Sequence, residues 1–354
     1  MNKFKNITLG RLLSFLLALV MTVSLAVSCA NDNVNGKTDA EPGENTDNGK
    51  EMDETGEKYV YEDGFTVKNL VDNGYKVTTV NVEIEGLDRE YHYIIGSDLH
   101  VIAESDEVAE DKREYVKGRV RSFTSKSGVT SADQWKTLPD LLNRCGAEAI
   151  FFNADMIDYN SKANVDAFGE GLAKLTTPYY YMRADHDSKP SYLANQNNVS
   201  ASKRQRDLCP NDELFVLEYD KFMIIGVNNP LTNTTKKKLE QIKELFAKGK
   251  PVILISHPPF DSLIDDSMAK KLYEREKNNC MLGKNTTYTY FDSNMYKYIE
   301  TVVADDSPVV EILAGHLHFD YDIMVTEKIH EHVFDLLANF NIGVLNVIPK
   351  KQAF

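Results

Sequence analysis

The chain has 354 residues, of which 42% are hydrophobic and 27% are charged, and its formal net charge is -14 at pH 7. This length is sufficient for one large domain or two small ones, either with a full core. The acidic excess works against nonspecific binding to nucleic acid, which depends on clustered lysine and arginine side chains. We therefore expect no nucleic-acid-binding surface.

The first 28 residues are typical of a secretory signal. Only positive charges occur in residues 1–11, and the apolar run LLSFLLALVMTVSLAVS follows and ends in small residues before Cys29. The AVSC sequence resembles the cleavage box of bacterial lipoproteins, with Ala26 in place of the usual leucine. We predict a signal peptide over residues 1–28 and a lipid on Cys29 that anchors the protein to a membrane of the cell envelope. The alternative is an uncleaved anchor, because the run is nearly long enough to span a bilayer.

A polar, acidic segment follows Cys29 and contains almost no apolar residues. Such a segment cannot bury enough surface to fold. We predict a flexible spacer over residues 29–58 and a single domain over residues 59–354. The remaining cysteines, Cys145, Cys209 and Cys280, have no C-x-x-C spacing, so we expect no disulfide framework, although the spacing leaves open a bridge between Cys209 and Cys280.

The first half of the domain alternates between predicted strands and helices. Period-two or continuous apolar patterns predict strands over residues 76–86, 90–101, 147–155 and 177–185, and a long charged stretch reaches Phe123. We predict that Ser131 caps a short helix ending at Trp135 and that Pro139 opens a second helix, because proline is poorly tolerated inside a helix. A further helix is predicted over residues 165–175.

The second half continues the alternation. Residues 214–227 predict a hairpin that turns at residues 219–221, a helix follows over residues 236–248, and strands are predicted over residues 251–259, 309–318, 321–327 and 333–349. Residues 261–292 could form a cap over the site, or a simple surface excursion. The order of elements predicts an α/β fold in which helices pack over sheets.

Five predicted strands end in segments that contain aspartate or histidine. These segments are SDLH at 97–100, NADMID at 153–158, RADHD at 183–187, SHPP at 256–259 and GHLH at 315–318, and they hold five of the eight histidines. An isolated histidine pair would be read as a solvated strand end. Ligands of α/β sheets bind at the carboxyl ends of strands, so the clustering favours a metal site there.

In this order, the five segments resemble the motifs D-x-H, G-D-x-x-D, G-N-H-D/E, H and G-H-x-H of the calcineurin-like metallophosphoesterase family, over about residues 92–320. The resemblance implies a four-layer α/β/β/α sandwich of two mixed sheets flanked by helices. It also implies a phosphatase or phosphodiesterase that uses two divalent ions and a hydroxide bridging them. Imidazole and carboxylate ligands suit Mn, Zn, Fe or Ni.

The resemblance assigns the ligands. It implies one ion held by Asp98, His100 and His318, a second held by Asp185, His257 and His316, and a bridge formed by Asp155. His186 would protonate the leaving oxygen or stabilise the transferring group, and Asp158 would pair with it. Asp158 could instead cap a helix. Arg183, next to the site in sequence, could contact the phosphate of the substrate or face solvent.

Three positions depart from the family pattern. Asp185 stands where the family has asparagine, and Ala154 and Ala184 stand where it has glycine. An anionic Asp185 would bind metal more tightly and repel an anionic substrate, while alanine restricts the backbone at the turns. A second hypothesis is therefore a surface-binding lipoprotein that keeps the fold and the ions but has weakened catalysis.

Overall fold

The computed structural model describes residues 61, 63–197, 199–209, 214–228, 233–278, 280–283 and 291–351. The predicted signal peptide, the spacer and Cys29 lie outside these residues. No helix within the described ranges has the length and apolar character needed to cross a membrane.

The first sheet has five strands in the order β1-β11-β2-β3-β4. They are β1 Lys76–Ile84, β2 Tyr91–Gly96, β3 Ala149–Asn153, β4 Tyr179–Met182 and β11 Asn341–Pro349. The strands β2, β3 and β4 are parallel neighbours, whereas β11 pairs antiparallel with β2 and parallel with β1. The sheet is therefore mixed.

The second sheet has six strands in the order β5-β6-β7-β8-β10-β9. They are β5 Leu214–Glu218, β6 Met223–Val227, β7 Val252–Ser256, β8 Val309–Ala314, β9 Tyr321–Met324 and β10 His330–Val333. Four parallel strands form its centre, and β5 and β9 pair antiparallel at the two edges.

The α-helices of the described chain are α1 Lys68–Asp72, α2 Arg113–Ser122, α3 Ser131–Leu142, α4 Lys162–Leu172, α5 Asp185–Ser188, α6 Val199–Leu208, α7 Lys236–Phe246, α8 Ser267–Glu276 and α9 Ser293–Val302. Short 3-10 helices cover Glu110–Lys112 and Leu337–Asn339.

Alternation along the strands builds three apolar layers. Tyr93 and Ile95 of β2 pack between the sheets against Ile253 and Ile255 of β7. The residue between the first pair, Ile94, faces the other way, onto a layer that includes α3 and α4. The opposite face of the second sheet packs on α7 and α9. Successive side chains of a strand point to opposite faces, so each sheet is covered on both sides. The predicted four-layer α/β/β/α sandwich is confirmed.

The prediction of two helices divided before Pro139 is wrong. One helix runs over Ser131–Leu142 with Pro139 inside it, and its amino-terminal cap is Thr130 rather than Ser131. Trp135 and Leu138 are buried on this helix, and the Trp135 indole donates a hydrogen bond to the Phe168 carbonyl at 2.9 Å. Packing of this face outweighs the hydrogen bond that proline removes from the helix.

Two other segments differ from the expectation. The charged stretch before Phe123 contains the helix α2, and residues 333–349 do not form one strand, because β10 ends at Val333 and β11 begins at Asn341.

The described part of residues 261–292 contains α8, whose Met268 and Leu272 pack against Leu317. Its function as a cap stays a prediction.

Among the described residues, Cys145, Cys209 and Cys280 are buried thiols that form no disulfide with one another.

Candidate metal centre

The five predicted segments meet where strands of both sheets end. Asn153, at the end of β3, donates from its side chain to the Ser256 carbonyl at 3.2 Å, and its own carbonyl lies 2.8 Å from Nδ1 of His257. The Gly315 amide donates to the His257 carbonyl at 3.0 Å, and the His316 amide donates to Oδ2 of Asp98 at 2.9 Å. These bonds tie the two sheets together at one point.

Asp98, His100 and His318 form a first group whose ligand atoms lie within 4.8 Å of one another. Oδ1 of Asp98 is 3.3 Å from Nε2 of His318 and 3.8 Å from Nε2 of His100. Asp98 and His100 are fully buried, while about a quarter of the His318 side chain is exposed. The structure thus brings together the three residues that the motifs assign to one ion.

Asp155 belongs to two further groups, one with His257 and His316 and one with Asp185 and His186. Nε2 of His257 lies 3.0 Å from Oδ2 of Asp155 and 3.8 Å from Oδ1 of Asp98, so this imidazole lies between the two carboxylates. Asp155 therefore stands at the centre of the predicted second ligand set.

Several buried atoms that face this centre lack hydrogen-bond partners among the described residues. They are Oδ1 of Asp98, Asp155 and Asp185 and Nε2 of His100 and His257. The 3.0 Å contact between His257 and Asp155 does not have hydrogen-bond geometry. Buried polar groups are nearly always paired, and imidazole nitrogens with carboxylate oxygens are a ligand set for divalent transition metals. The donor set therefore fits a metal ion.

The electrostatics of the site favour a bound cation. Burial alone would raise the pKa of Asp98, but the charge of His257 and contacts with His100 and His318 hold it well below its usual range. The charges of Asp155 and Asp98 outweigh burial at His257 and raise its pKa to about 10. The carboxylates are thus charged, and in a metal-free protein a proton on His257 compensates them. A bound metal ion would take the place of that proton.

The backbone is strained at this site. Eight non-glycine residues of the described chain have a positive φ, and six of them lie in the site segments: Asp98, His100, Ala154, Asp155, His316 and His318. Left-handed conformations are uncommon for such residues and cluster at functional sites. A side chain on Gly315 would also place its Cβ 1.9 Å from Oγ of Ser97, so only glycine fits between β8 and Asp98.

The two alanines that replace family glycines differ in their effect. Ala154 has a φ of 61°, which disfavours any residue with a Cβ, whereas Ala184 has an extended backbone. The predicted restriction therefore applies to Ala154 alone.

Asp158 contacts more groups than the sequence predicts. Its main-chain oxygen lies 2.8 Å from Nδ1 of His186, while its carboxylate Oδ1 is 3.6 Å from the same nitrogen. That carboxylate instead bonds Nδ1 of His100 at 3.0 Å and Nη2 of Arg119 at 2.6 Å. His100, Asp158 and His186 also form a possible metal group, but the Arg119 cation already occupies this carboxylate.

Asp187, the second acid of RADHD, supports the site by accepting hydrogen bonds from its backbone amides. Its Oδ2 accepts hydrogen bonds from the amides of Asp155 and Ala184 at 2.7 and 2.9 Å. Its Oδ1 accepts from the amides of Met156 and Ile157 and from the Tyr181 hydroxyl. Burial and the Asp155 charge raise the pKa of Asp187 to about 6 despite these donors. The sequence shows that Asp187 belongs to the RADHD segment, but it does not show that this side chain turns toward the backbone amides behind the site.

Arg183 follows β4 and is partly buried. Its amide donates to Oδ1 of Asn228 at 2.8 Å, which fixes the backbone beside the site. Contact between its guanidinium and a substrate stays a prediction.

No family model and no curated protein matches the chain. Similar solved structures include a dimetal phosphatase from Danio rerio, with 10% identity, a TM-score of 0.43 and coverage of 70% of this chain and 88% of that one. A purple acid phosphatase from yellow lupin has 12% identity and a TM-score of 0.42, and the match covers 70% of this chain and 44% of that one. A phosphopantetheinyl hydrolase from Mycobacterium tuberculosis has 10% identity and a TM-score of 0.39, and the match covers 75% of this chain and 98% of that one.

All three are calcineurin-like metallophosphoesterases. This is the family that the motifs resemble. Because the identities are at most 12% and the TM-scores are below 0.5, the function proposed below rests on the residues of this chain.

Replacement of Asp187 by asparagine should destabilise the metal-free protein by roughly 2–4 kcal/mol, because an amide nitrogen cannot accept the hydrogen bonds of at least two buried donors. Urea unfolding in the presence of EDTA measures this loss. The matched control is Asp185→Asn, since the Asp185 carboxylate accepts a hydrogen bond only from exposed Lys189 within the described residues. Equal stability of the Asp187→Asn variant and the wild type would contradict the prediction.

Proposed function

We propose that the protein is a metal-dependent phosphoesterase that hydrolyses phosphomonoesters or phosphodiesters. The observation that carries this proposal is the set of five buried carboxylate and imidazole atoms without hydrogen-bond partners in the described chain, which face one another where the two sheets meet. A fold that leaves such atoms unpaired is stabilised when a cation binds them.

The proposed ligands divide into two sets that share a residue. Asp98, His100 and His318 would hold one ion, Asp185, His257 and His316 would hold the other, and Asp155 would bridge them. The bridging role is supported by Nε2 of His257, which lies 3.0 Å from Oδ2 of Asp155 and 3.8 Å from Oδ1 of Asp98, so the Asp155 carboxylate is close to the first set. Two divalent ions, of Mn, Zn, Fe or Ni, would supply Lewis acidity at the phosphoryl group and a nucleophile at neutral pH.

His186 is the proposed acid for the leaving oxygen. Its Nδ1 faces the Asp158 carbonyl at 2.8 Å and therefore donates to it, so that in the imidazolium form the proton on Nε2 is the one that would pass to the leaving oxygen. About a quarter of the side chain is exposed, so a substrate can reach it. The Asp158 carboxylate lies 3.6 Å from Nδ1 of His186. Arg183 is the proposed contact for a substrate phosphate.

A second candidate is a surface-binding protein with weakened turnover, and Asp185 is the observation in its favour. This carboxylate adds a negative charge beside Asp155, and its ion pair with Lys189 at 2.8 Å lies at the surface, where solvent screens it. An anionic phosphoester would be repelled here more than by asparagine.

We also propose that the chain is exported and tethered by a lipid on Cys29, with residues 1–28 removed. The support is the sequence alone. Expression of Cys29→Ala should move the protein from the membrane fraction to the soluble fraction, which immunoblotting of the two fractions measures. The matched control is Cys145→Ala, because Cys145 is buried in the domain. Retention of Cys29→Ala in the membrane fraction would favour the uncleaved anchor instead.

The purified protein should retain two divalent ions per chain and hydrolyse p-nitrophenyl phosphate or bis(p-nitrophenyl) phosphate with Mn or Zn. Asp155→Ala should lower kcat at least 100-fold and reduce the metal content, because this buried carboxylate belongs to two of the possible metal groups. Elemental analysis and a colorimetric assay measure the two effects.

Asp140→Ala is the control for these measurements, since Asp140 is exposed on α3 far from the site segments in sequence. It should keep both the ions and the activity. A wild-type protein that binds no metal would contradict the proposal. A protein that binds two ions but cleaves neither ester would favour the second candidate, a surface-binding protein with weakened turnover.

Asp185→Asn discriminates between the two candidates. For an enzyme, removal of this negative charge should raise kcat/KM about tenfold, because repulsion of the anionic substrate falls, while metal affinity decreases. Steady-state kinetics at saturating metal provide the measurement. No turnover in either form would support the binding protein.

A further inference from the structure

We propose that Arg119, on α2, is a positioning residue that sets the orientation of the His100 imidazole toward the metal centre. The proposal rests on the proposed function, because His100 matters in this way only if it is a metal ligand. Arg119 lies outside every motif, in the charged stretch before Phe123.

The first step is the bond between Arg119 and Asp158. The guanidinium donates from Nη2 to Oδ1 of Asp158 at 2.6 Å and from Nε to Oδ2 at 3.3 Å, so it engages both carboxylate oxygens. The exposed fractions of the two side chains are 8% and 0%. A two-point bond between a guanidinium and a carboxylate fixes the plane of the carboxylate, which a lysine could not do.

The second step joins that carboxylate to His100. Oδ1 of Asp158, which accepts from Arg119, also lies 3.0 Å from Nδ1 of His100. An acceptor at this position places the imidazole proton on Nδ1 and leaves the lone pair of Nε2 available. Nε2 faces Asp98 and has no hydrogen-bond partner among the described residues. Carboxylates that fix a ligating histidine in this way commonly change metal affinity 10–100-fold when they are replaced.

The third step is a contact through Phe123. The guanidinium lies over the Phe123 ring at 4.7 Å, and the same ring stacks on His100 at 4.0 Å with an interplanar angle of 12°. Arg119 thus also packs on a ring that touches the face of His100, while the direction of Nδ1 is set through the carboxylate at the edge of the imidazole. The four side chains form a closed ring of contacts.

Arg119 and Phe123 are four residues apart, at the carboxyl end of α2, so both project from the same side of the helix. A buried ion pair is weak support for stability, because desolvation of both charges opposes their attraction. We infer that the network serves orientation rather than folding energy. The helix α2 then belongs to the site, although no motif marks it.

Arg119→Met should weaken binding of one of the two ions 10–100-fold and leave the other unchanged. Competition with a chelator of known affinity, using Zn alone as the probe, measures both constants on the full protein. Arg121→Met is the matched control, because Arg121 is exposed on the same helix and carries the same charge. It should bind both ions as the wild type does.

Arg119→Met removes the guanidinium partner of the buried Asp158 carboxylate and could fail to fold, which circular dichroism reveals. The double variant Arg119→Met/Asp158→Asn removes both charges, and in that case its Zn affinities are measured instead. Metal affinity should fall by the same factor in Asp158→Asn and in the double variant, because the Asp158 carboxylate is the group that bonds Nδ1 of His100 and Arg119 reaches this nitrogen through it. Arg119→Lys should have an intermediate affinity.

Two outcomes would overturn the proposal while the proposed function stands. One is a wild-type protein with two ions and an Arg119→Met variant whose affinities lie within twofold of it. The other is a folded double variant that loses much more affinity than Asp158→Asn. If the wild type binds no ion, the proposed function fails, and the proposal for Arg119 fails with it.

Discussion

The structure depends on two carboxylates whose charges are removed from water. Asp98 and Asp155 are at most 1% exposed, and transfer of a carboxylate into a protein interior costs several kcal/mol unless it is compensated. The Ser97 hydroxyl and the His316 amide compensate one oxygen of Asp98, but Oδ1 of each aspartate remains without a hydrogen bond in the described chain. The left-handed backbone of both residues adds a second cost, because such conformations are sparsely populated by residues other than glycine.

The sequence allowed the layers and the convergence of the five segments to be predicted, because both follow from local rules, whereas the assignment of each ligand comes from the family resemblance. Strand periodicity places Tyr93 and Ile94 on opposite faces, and parallel strands end at a shared edge, which brings the five segments together. The helix with Pro139 could not be predicted, because burial of Trp135 against α4 decides it. Arg119 was missed for a similar reason, since its partner lies 39 residues away and no spacing connects them.

The departures from the family pattern have unequal physical consequences. Ala154 adopts a left-handed conformation that costs on the order of 1–3 kcal/mol, and the hydrogen bond that the next amide, of Asp155, donates to the Asp187 carboxylate helps to hold it there. Ala184 has no such cost. Asp185 changes charge rather than shape, so its effect falls on the ligand and the substrate and leaves the fold unaffected.

The site lies across the seam between the two sheets. Asp98 and Asp155 follow strands of the first sheet, whereas His257 and His316 follow strands of the second, and His257 meets Asn153 across 104 residues of sequence. Contacts of such separation form late in folding. A complete set of ligands therefore exists only after the halves have docked. If the chain crosses a membrane before it folds, it acquires its ions from the compartment in which it arrives, and the supply of metal there decides which ion it carries.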